Sequence, residues 1–201
     1  YLGATPGIIQ VLHTWGQTLN FHPHIHCIVS GGGLSVDQKL RRCGEKFFIP
    51  VRVMAKVFRG KFLCYLQKYY VTGKLVFSSS CAELRNSYSW NEFRDSLYKM
   101  DWCPYIKETF NGFGNAIEYL GRYTHRIAIT NTRIQSVTDT HVSFAARDYK
   151  SGETKTVTLE NKEFIRRFLM HVLPSGFQKI RYYGFLNNRT KSESLRIIFK
   201  L

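Results

Sequence analysis

Three of the chain's seven histidines stand within five residues: His22, His24 and His26, in the stretch NFHPHIHCIVSGGG. Residues two apart on a β-strand project from one face. His24 and His26 therefore present both imidazoles to the same side, and Ile25 between them is expected to turn toward the core. Two imidazoles on one face are a ligand pair for one divalent metal. His22 precedes Pro23 at a turn and is not expected on that face. A third ligand is expected from the neighbouring strand. His13, in VLHTWGQ, can be placed opposite the pair by antiparallel pairing and is preferred, while Gln17 competes through its side-chain carbonyl because it lies closer to the turn. The same His-x-His pattern also serves as two hydrogen-bonded histidines with no chemistry, so it needs a reacting partner elsewhere.

The stretch EYLGRYTHR supplies one. Tyr119 and Tyr123 are four apart and share a helix face. Arg122 and Arg126 form a parallel pair on an adjacent face, with His125 between them. Taken alone, this is also the pattern of a helix with aromatic core positions and basic surface positions. A tyrosyl hydroxyl, however, attacks phosphate when a metal polarises the phosphate oxygens. A metal-binding strand, a tyrosine pair and nearby arginines together compose a nuclease that attaches itself to DNA.

The elements that must position these groups follow from local pattern. PGIIQVLHTWG and HIHCIVSGG read as two strands, the second ended by Gly31, Gly32 and Gly33 in a flexible exit, pairing as a hairpin through QTLNFHP. The apolar spacing of residues 51–69 predicts an amphipathic helix, and SWNEFRDSLYKM a second with a serine cap. Asn115 is expected to cap the helix that carries the tyrosines. IAITNTRI, HVSFAARDY and TKTVTLE carry β signals, the last two separated by a Ser-Gly turn. NKEFIRRFLMHVL reads as a helix stopped by Pro174, and QKIRYYGF as a last strand. Residues 187–201 form a polar and then basic tail, helical or frayed. Antiparallel strands with helices between them point to the α+β class.

Composition sets the setting for that chemistry. The chain has 201 residues, 44% of them hydrophobic and 21% charged, an ordinary globular balance. No apolar run is long enough to span a membrane, and the first residues lack the pattern of a signal peptide. Lys and Arg total 29 against 14 Asp and Glu, a net charge of +15, which suits a polyanionic partner. Aromatic residues make up 15%, and rings beside cations suit unpaired bases, although most phenylalanines are expected in the core. The five cysteines form no CxxC half-site and read as reduced thiols in a cytoplasm. The chain opens mid-pattern without Met and is expected to be an N-terminally truncated piece of a longer protein.

Together LHTWGQTLNFHPHIHCIVSGGGLS, EYLGRYTHRIAITNTRI and EFIRRFLMHVLPSGFQKIRYYGF resemble the two-tyrosine transposases of rolling-circle insertion sequences, members of the HUH (His-hydrophobic-His) endonuclease superfamily. The resemblance spans residues 1–186, which it marks as the catalytic domain, with 187–201 as a C-terminal tail. It implies a central antiparallel sheet flanked by helices. It implies a divalent cation, Mg²⁺ or Mn²⁺, on His24, His26 and a third ligand, His13 by preference. It implies attack by Tyr119 or Tyr123 on single-stranded DNA of transposon ends and target, leaving a 5′-phosphotyrosine and a free 3′-hydroxyl, with Arg122, His125 and Arg126 holding phosphates. Family members usually carry a cysteine-rich zinc-binding segment upstream of the nuclease, and these 201 residues contain no such stretch. Other readings of the same residues are a plasmid or phage replication initiator or a relaxase, an inactive DNA-binding remnant, and a structural metal site in a basic RNA-binding domain.

Overall fold

The computed structural model describes residues 2–44, 49–106, 121, 128–148 and 151–201. Among these the chain is α+β with antiparallel sheets, as expected. It divides into two compact units, one of Cys43–Thr109 and one of Leu2–Arg42 with Phe110–Leu201. The helical unit is thus set into the chain between the third and fourth strands of the other.

The β-rich unit holds two sheets. The first comprises β1 (Thr5–Trp15), β2 (Phe21–Leu34), β3 (Leu40–Arg42) and β7 (Ile180–Tyr183) in the order β3-β2-β1-β7. The second comprises β4 (Ile134–Val137), β5 (His141–Arg147) and β6 (Thr154–Glu160) in sequence order. β2 does not stop at its glycines but runs through them to Leu34. At Gly32 a Cβ would meet the Arg41 carbonyl oxygen of β3 at 2.7 Å, and at Gly33 the backbone of Thr5 at 2.7 Å. Gly32 and Gly33 therefore permit close approach of the two neighbouring strands, and the segment is paired strand, not a flexible exit.

The core lies where the β1–β2 hairpin tip enters the second sheet. Leu19 and Phe144 are fully buried and pack with Ala128, Ile129 and Ala146, while Trp15 and Phe164 close over them. Leu19 has φ +59°, a left-handed conformation that costs a non-glycine residue about 1–2 kcal/mol. Complete burial of a leucine side chain gains roughly 1.5–3 kcal/mol, enough to hold it there.

Helix α3 (Asn161–Leu169) ends with Met170 in the cap position, before Pro174 rather than at it. Helix α4 (Lys191–Ile198) lies in the tail, with Ser194 buried.

In the other unit, helices α1 (Val51–Val71) and α2 (Ser87–Lys99) pack through a stacked Tyr70–Trp90 pair, with ring centroids 4.1 Å apart, and a Trp90 indole N–H donated to Gln67 at 2.7 Å. The α2 cap is Asn86, whose side chain accepts from the Tyr88 N–H, not the expected serine. The phenylalanines also depart from expectation. Phe144 is buried, but Phe21, Phe58, Phe62, Phe168, Phe177 and Phe199 are each more than a third exposed. Half of these lie on the outward sides of helices, where sequence pattern alone does not tell a core ring from a surface one. Among the described residues no helix is long and apolar enough to cross a membrane, and all five cysteines are free.

Candidate metal centre

β1 and β2 pair antiparallel, and the register sets His13 directly across from His24, with Val11 across from His26. Opposite positions on paired strands share a face, as do positions two apart on one strand, so all three imidazoles meet on one side. Ring centroids lie 5.5 Å apart for His13 and His24, 4.6 Å for His13 and His26, and 4.9 Å for His24 and His26. One nitrogen from each ring falls within 4.8 Å of the other two. His13 is buried, and His24 and His26 are half-buried, so the group has a fixed floor and an open top. Three neutral imidazoles with converging nitrogens fit a borderline divalent ion.

The register slips by one residue between His13 and Trp15, which makes a bulge at His22 and Pro23. There Pro23 costs no ladder hydrogen bond. The bulge also orients a ligand. The His24 Nδ1–H donates to the His22 carbonyl at 2.7 Å, which fixes the tautomer, because a carbonyl can only accept. The Nε2 lone pair of His24 is left for a metal. His22 thus serves through its backbone. Ile25 differs from expectation: it is 53% exposed, because the other face of this part of β2 is turned to solvent.

Behind the triad the rings continue. Trp15 stacks on His13 at 4.7 Å, and the Lys179 ammonium sits 5.1 Å over Trp15. Burial pulls the Lys179 pKa below the usual lysine value.

The hairpin tip is tied down by side chains far away in sequence. Buried His171 donates Nε2–H to the Leu19 carbonyl at 3.1 Å, and its Nδ1 meets the Thr14 hydroxyl at 3.1 Å. Arg167 donates to the Thr18 carbonyl and to Asn20 Oδ1. Arg133 donates to the Gln17 carbonyl and the Ala145 carbonyl. Glu163 forks between Arg166 and Arg167 on α3. First Arg166 and then Arg167 hold its carboxyl at about 2.

Sequence reasoning named His13, His24 and His26, and the structure brings them together. The Gln17 side-chain oxygen accepts from the Arg147 N–H of β5 at 3.3 Å. Tyr119, Tyr123, Arg122, His125, Arg126 and the expected Asn115 cap lie outside the described residues. Sequence reasoning missed His171, Arg133 and Arg167. For Arg167 a local signal existed, the Glu163 partner four residues earlier on the same helix face. Lone residues that reach back across more than a hundred positions leave no such trace.

A family model described as a putative transposase, Y2_Tnp, matches residues 7–194. Over 197 residues the chain is 46% identical to the putative transposase y4qJ of Sinorhizobium fredii, across 97% of this chain and 50% of that protein. Over 203 residues it is 25% identical to the transposase for insertion sequence element IS801 of Pseudomonas savastanoi pv. phaseolicola, across 98% of this chain and 47% of that protein. The chain spans about half the length of these curated relatives. No solved structure matches it.

Proposed function

The chain belongs to the Y2_Tnp transposase family, and from that premise we propose that it is the part of an insertion-sequence transposase that cuts and rejoins single-stranded DNA in rolling-circle transposition. The observation that carries this reading is the face shared by His13, His24 and His26 across two paired strands.

These imidazoles would hold a divalent cation. When bound, it would withdraw charge from the oxygens of a scissile phosphate and so ease nucleophilic attack on phosphorus. An all-imidazole donor set also suits Zn²⁺ or Ni²⁺ by affinity, so the choice of Mg²⁺ or Mn²⁺ rests on the family reading. Tyr119 or Tyr123 is the nucleophile. Its hydroxyl must give up a proton as the P–O bond forms, and a tyrosine free in water does so only at about pH 10. The phosphoryl group passes to the tyrosine as a 5′-phosphotyrosine, and the leaving 3′-oxygen becomes a hydroxyl on gaining a proton. Because the exchange trades one phosphodiester for another, rejoining needs no nucleotide hydrolysis. Arg122, His125 and Arg126 bind phosphate oxygens near the reacting centre. A second tyrosine four residues away in sequence permits a second cut while the first strand end is still attached. Single-stranded substrate suits the +15 net charge and the 15% aromatic content.

The test is direct. Incubated with labelled single-stranded oligonucleotides of terminus-like sequence and Mn²⁺, the protein should yield a covalent protein–DNA species on a denaturing gel. Tyr119→Phe and Tyr123→Phe should each reduce it, and the double variant should abolish it. An undiminished adduct in the double variant would remove the tyrosines from the mechanism. DNA binding without any adduct would leave a binding protein only.

A further inference from the structure

The helical unit carries a surface for which the histidine face has no use. α1 is 21 residues long and contains Arg52, Lys56, Arg59, Lys61 and Lys68 but no Asp or Glu. Arg52 stands in the first turn, where the helix dipole disfavours a cation, while Lys68 stands in the last turn, where the dipole favours one. One side of α1 is spent on packing: Leu63 is buried, Gln67 accepts from Trp90, Tyr70 stacks on Trp90, and Arg59 donates to the Tyr98 carbonyl at 2.8 Å.

The other side shows rings to solvent. Phe58, Phe62, Tyr65 and Tyr69 follow the i, i+4, i+7, i+11 spacing of one face and are 49%, 44%, 61% and 46% exposed. Phe58 and Phe62 also lean on Trp102, with centroids 5.6 and 5.2 Å away, which fixes their orientation. Lys61 and Lys68 are exposed, one turn before and one turn after Tyr65.

A stripe of aromatic rings bordered by cations and lacking any carboxylate is complementary to a nucleic-acid strand, with charge for the phosphates and ring faces for the bases. The spacing decides between single and double strand. At about 1.5 Å of rise per residue, successive rings stand roughly 4.5–6 Å apart along the helix. A stacked strand spaces its bases at about 3.4 Å, so only bases already splayed apart match the rings.

We propose that the outward face of α1 is a second DNA-contact surface, on which unpaired bases of a single strand stack against Tyr65, Tyr69 and the flanking phenylalanines while Lys61 and Lys68 pair with the phosphates. The proposal takes its choice of DNA from the reading of the chain as a transposase, but binding here requires neither the histidines nor the tyrosines of the cutting reaction.

Fluorescence anisotropy with labelled oligodeoxythymidylate, and with a duplex of equal length, tests it in EDTA, where cutting is absent. The single strand should bind more tightly than the duplex. The Tyr65→Ala/Tyr69→Ala variant should bind the single strand about tenfold more weakly or worse, and Tyr65→Phe/Tyr69→Phe should restore it, because stacking survives loss of the hydroxyl. Lys61→Gln and Lys68→Gln should each lower the log–log salt slope by about 0.7. Unchanged affinity in the alanine variant overturns the proposal, as does a preference for duplex. A fall in oligomer mass by light scattering with DNA affinity unchanged also overturns it, by making a second copy the occupant. If the alanine variant does not fold, the phenylalanine and lysine variants still decide through hydroxyl tolerance and salt slope. The covalent-adduct assay separates the two readings: ring-dependent binding without any adduct sinks the cutting reaction alone, and an adduct with ring-independent binding sinks this surface alone.

Discussion

The β1–β2 hairpin and helix α1 both combine rings with nitrogen-rich side chains, and they dispose of them in opposite ways. On the hairpin, His13, Thr14 and Leu19 are buried, and the tip's carbonyls accept hydrogen bonds from Arg133, Arg167 and His171. On α1, Tyr65 and Tyr69 stand out in solvent, and the lysines beside them are exposed. The hairpin has the form of a preorganised site, in which three donors must hold their places before any ligand arrives. α1 has the form of an adaptable surface, in which each ring acts on its own and no single position is indispensable.

The comparison is broken most severely at the hairpin's ligands. His13→Ala should weaken Mn²⁺ binding by a hundredfold or more, about 2.7 kcal/mol, because the remaining His24 and His26 cannot close the group from one strand. Gln17→Ala should weaken it far less. Isothermal titration with Mn²⁺ on both variants measures this, and the opposite ranking would make Gln17 the third ligand.

The triad was legible in sequence because it is written in short-range code. His-x-His obeys the two-residue period of a strand, and His13 becomes the partner of His24 once two adjacent strands are read as a hairpin. The α+β class and most of the β-strands were legible for the same reason, but IAITNTRI was not: a 3-10 turn occupies Asn131–Arg133 and the strand begins only at Ile134. What was not legible depends on contacts across long separations. Ile25 was expected inward because alternation says that one face is core, but this end of β2 buries the histidine face instead. Leu19 has no left-handed propensity of its own and adopts that conformation only because Phe144, more than a hundred residues later, makes the pocket. Asn86 caps α2 three positions ahead of the expected Ser89, because its side chain accepts the Tyr88 N–H.

A smaller effect tests whether the hairpin is held from behind. His171→Ala removes two hydrogen bonds from a buried site and leaves the Leu19 carbonyl and the Thr14 hydroxyl without that partner. It should destabilise the protein by about 1–3 kcal/mol and weaken Mn²⁺ binding measurably but by less than the roughly tenfold or more that follows loss of a group bonded directly to a metal ligand. Tyr65→Ala on α1, by contrast, should change stability by no more than about 0.5 kcal/mol. Thermal melts of both, with and without Mn²⁺, check the contrast. A metal affinity unmoved by His171→Ala would show that the register of β1 and β2 alone sets the triad. Equal losses of stability would mean that the α1 ring is packed rather than presented.

The smallest effect lies at the Glu163 fork, which steadies Arg167 where it reaches the Thr18 carbonyl and Asn20. Arg166 and Arg167 lower this carboxyl from 4.5 to about 2. Because the folded value lies below the unfolded one, the contribution is fully present above about 4.5 and is lost as pH falls toward 2. The fork is solvent-facing, so its loss should loosen the hairpin tip without unfolding the sheet. An NMR titration of the Glu163 carboxyl carbon should show a midpoint well under 4.5, with the Arg167 Nε–H signal sharpening out of solvent exchange while the carboxylate stays ionised. In Glu163→Gln that signal should exchange faster at every pH, and the Mn²⁺ affinity should fall less than in His171→Ala. A midpoint at the ordinary glutamate value would mean that the arginines do not grip the carboxylate in solution. The hairpin tip would then rest mainly on His171, Arg133 and the Gln17–Arg147 bond, and the difference from α1 would narrow to the buried groups.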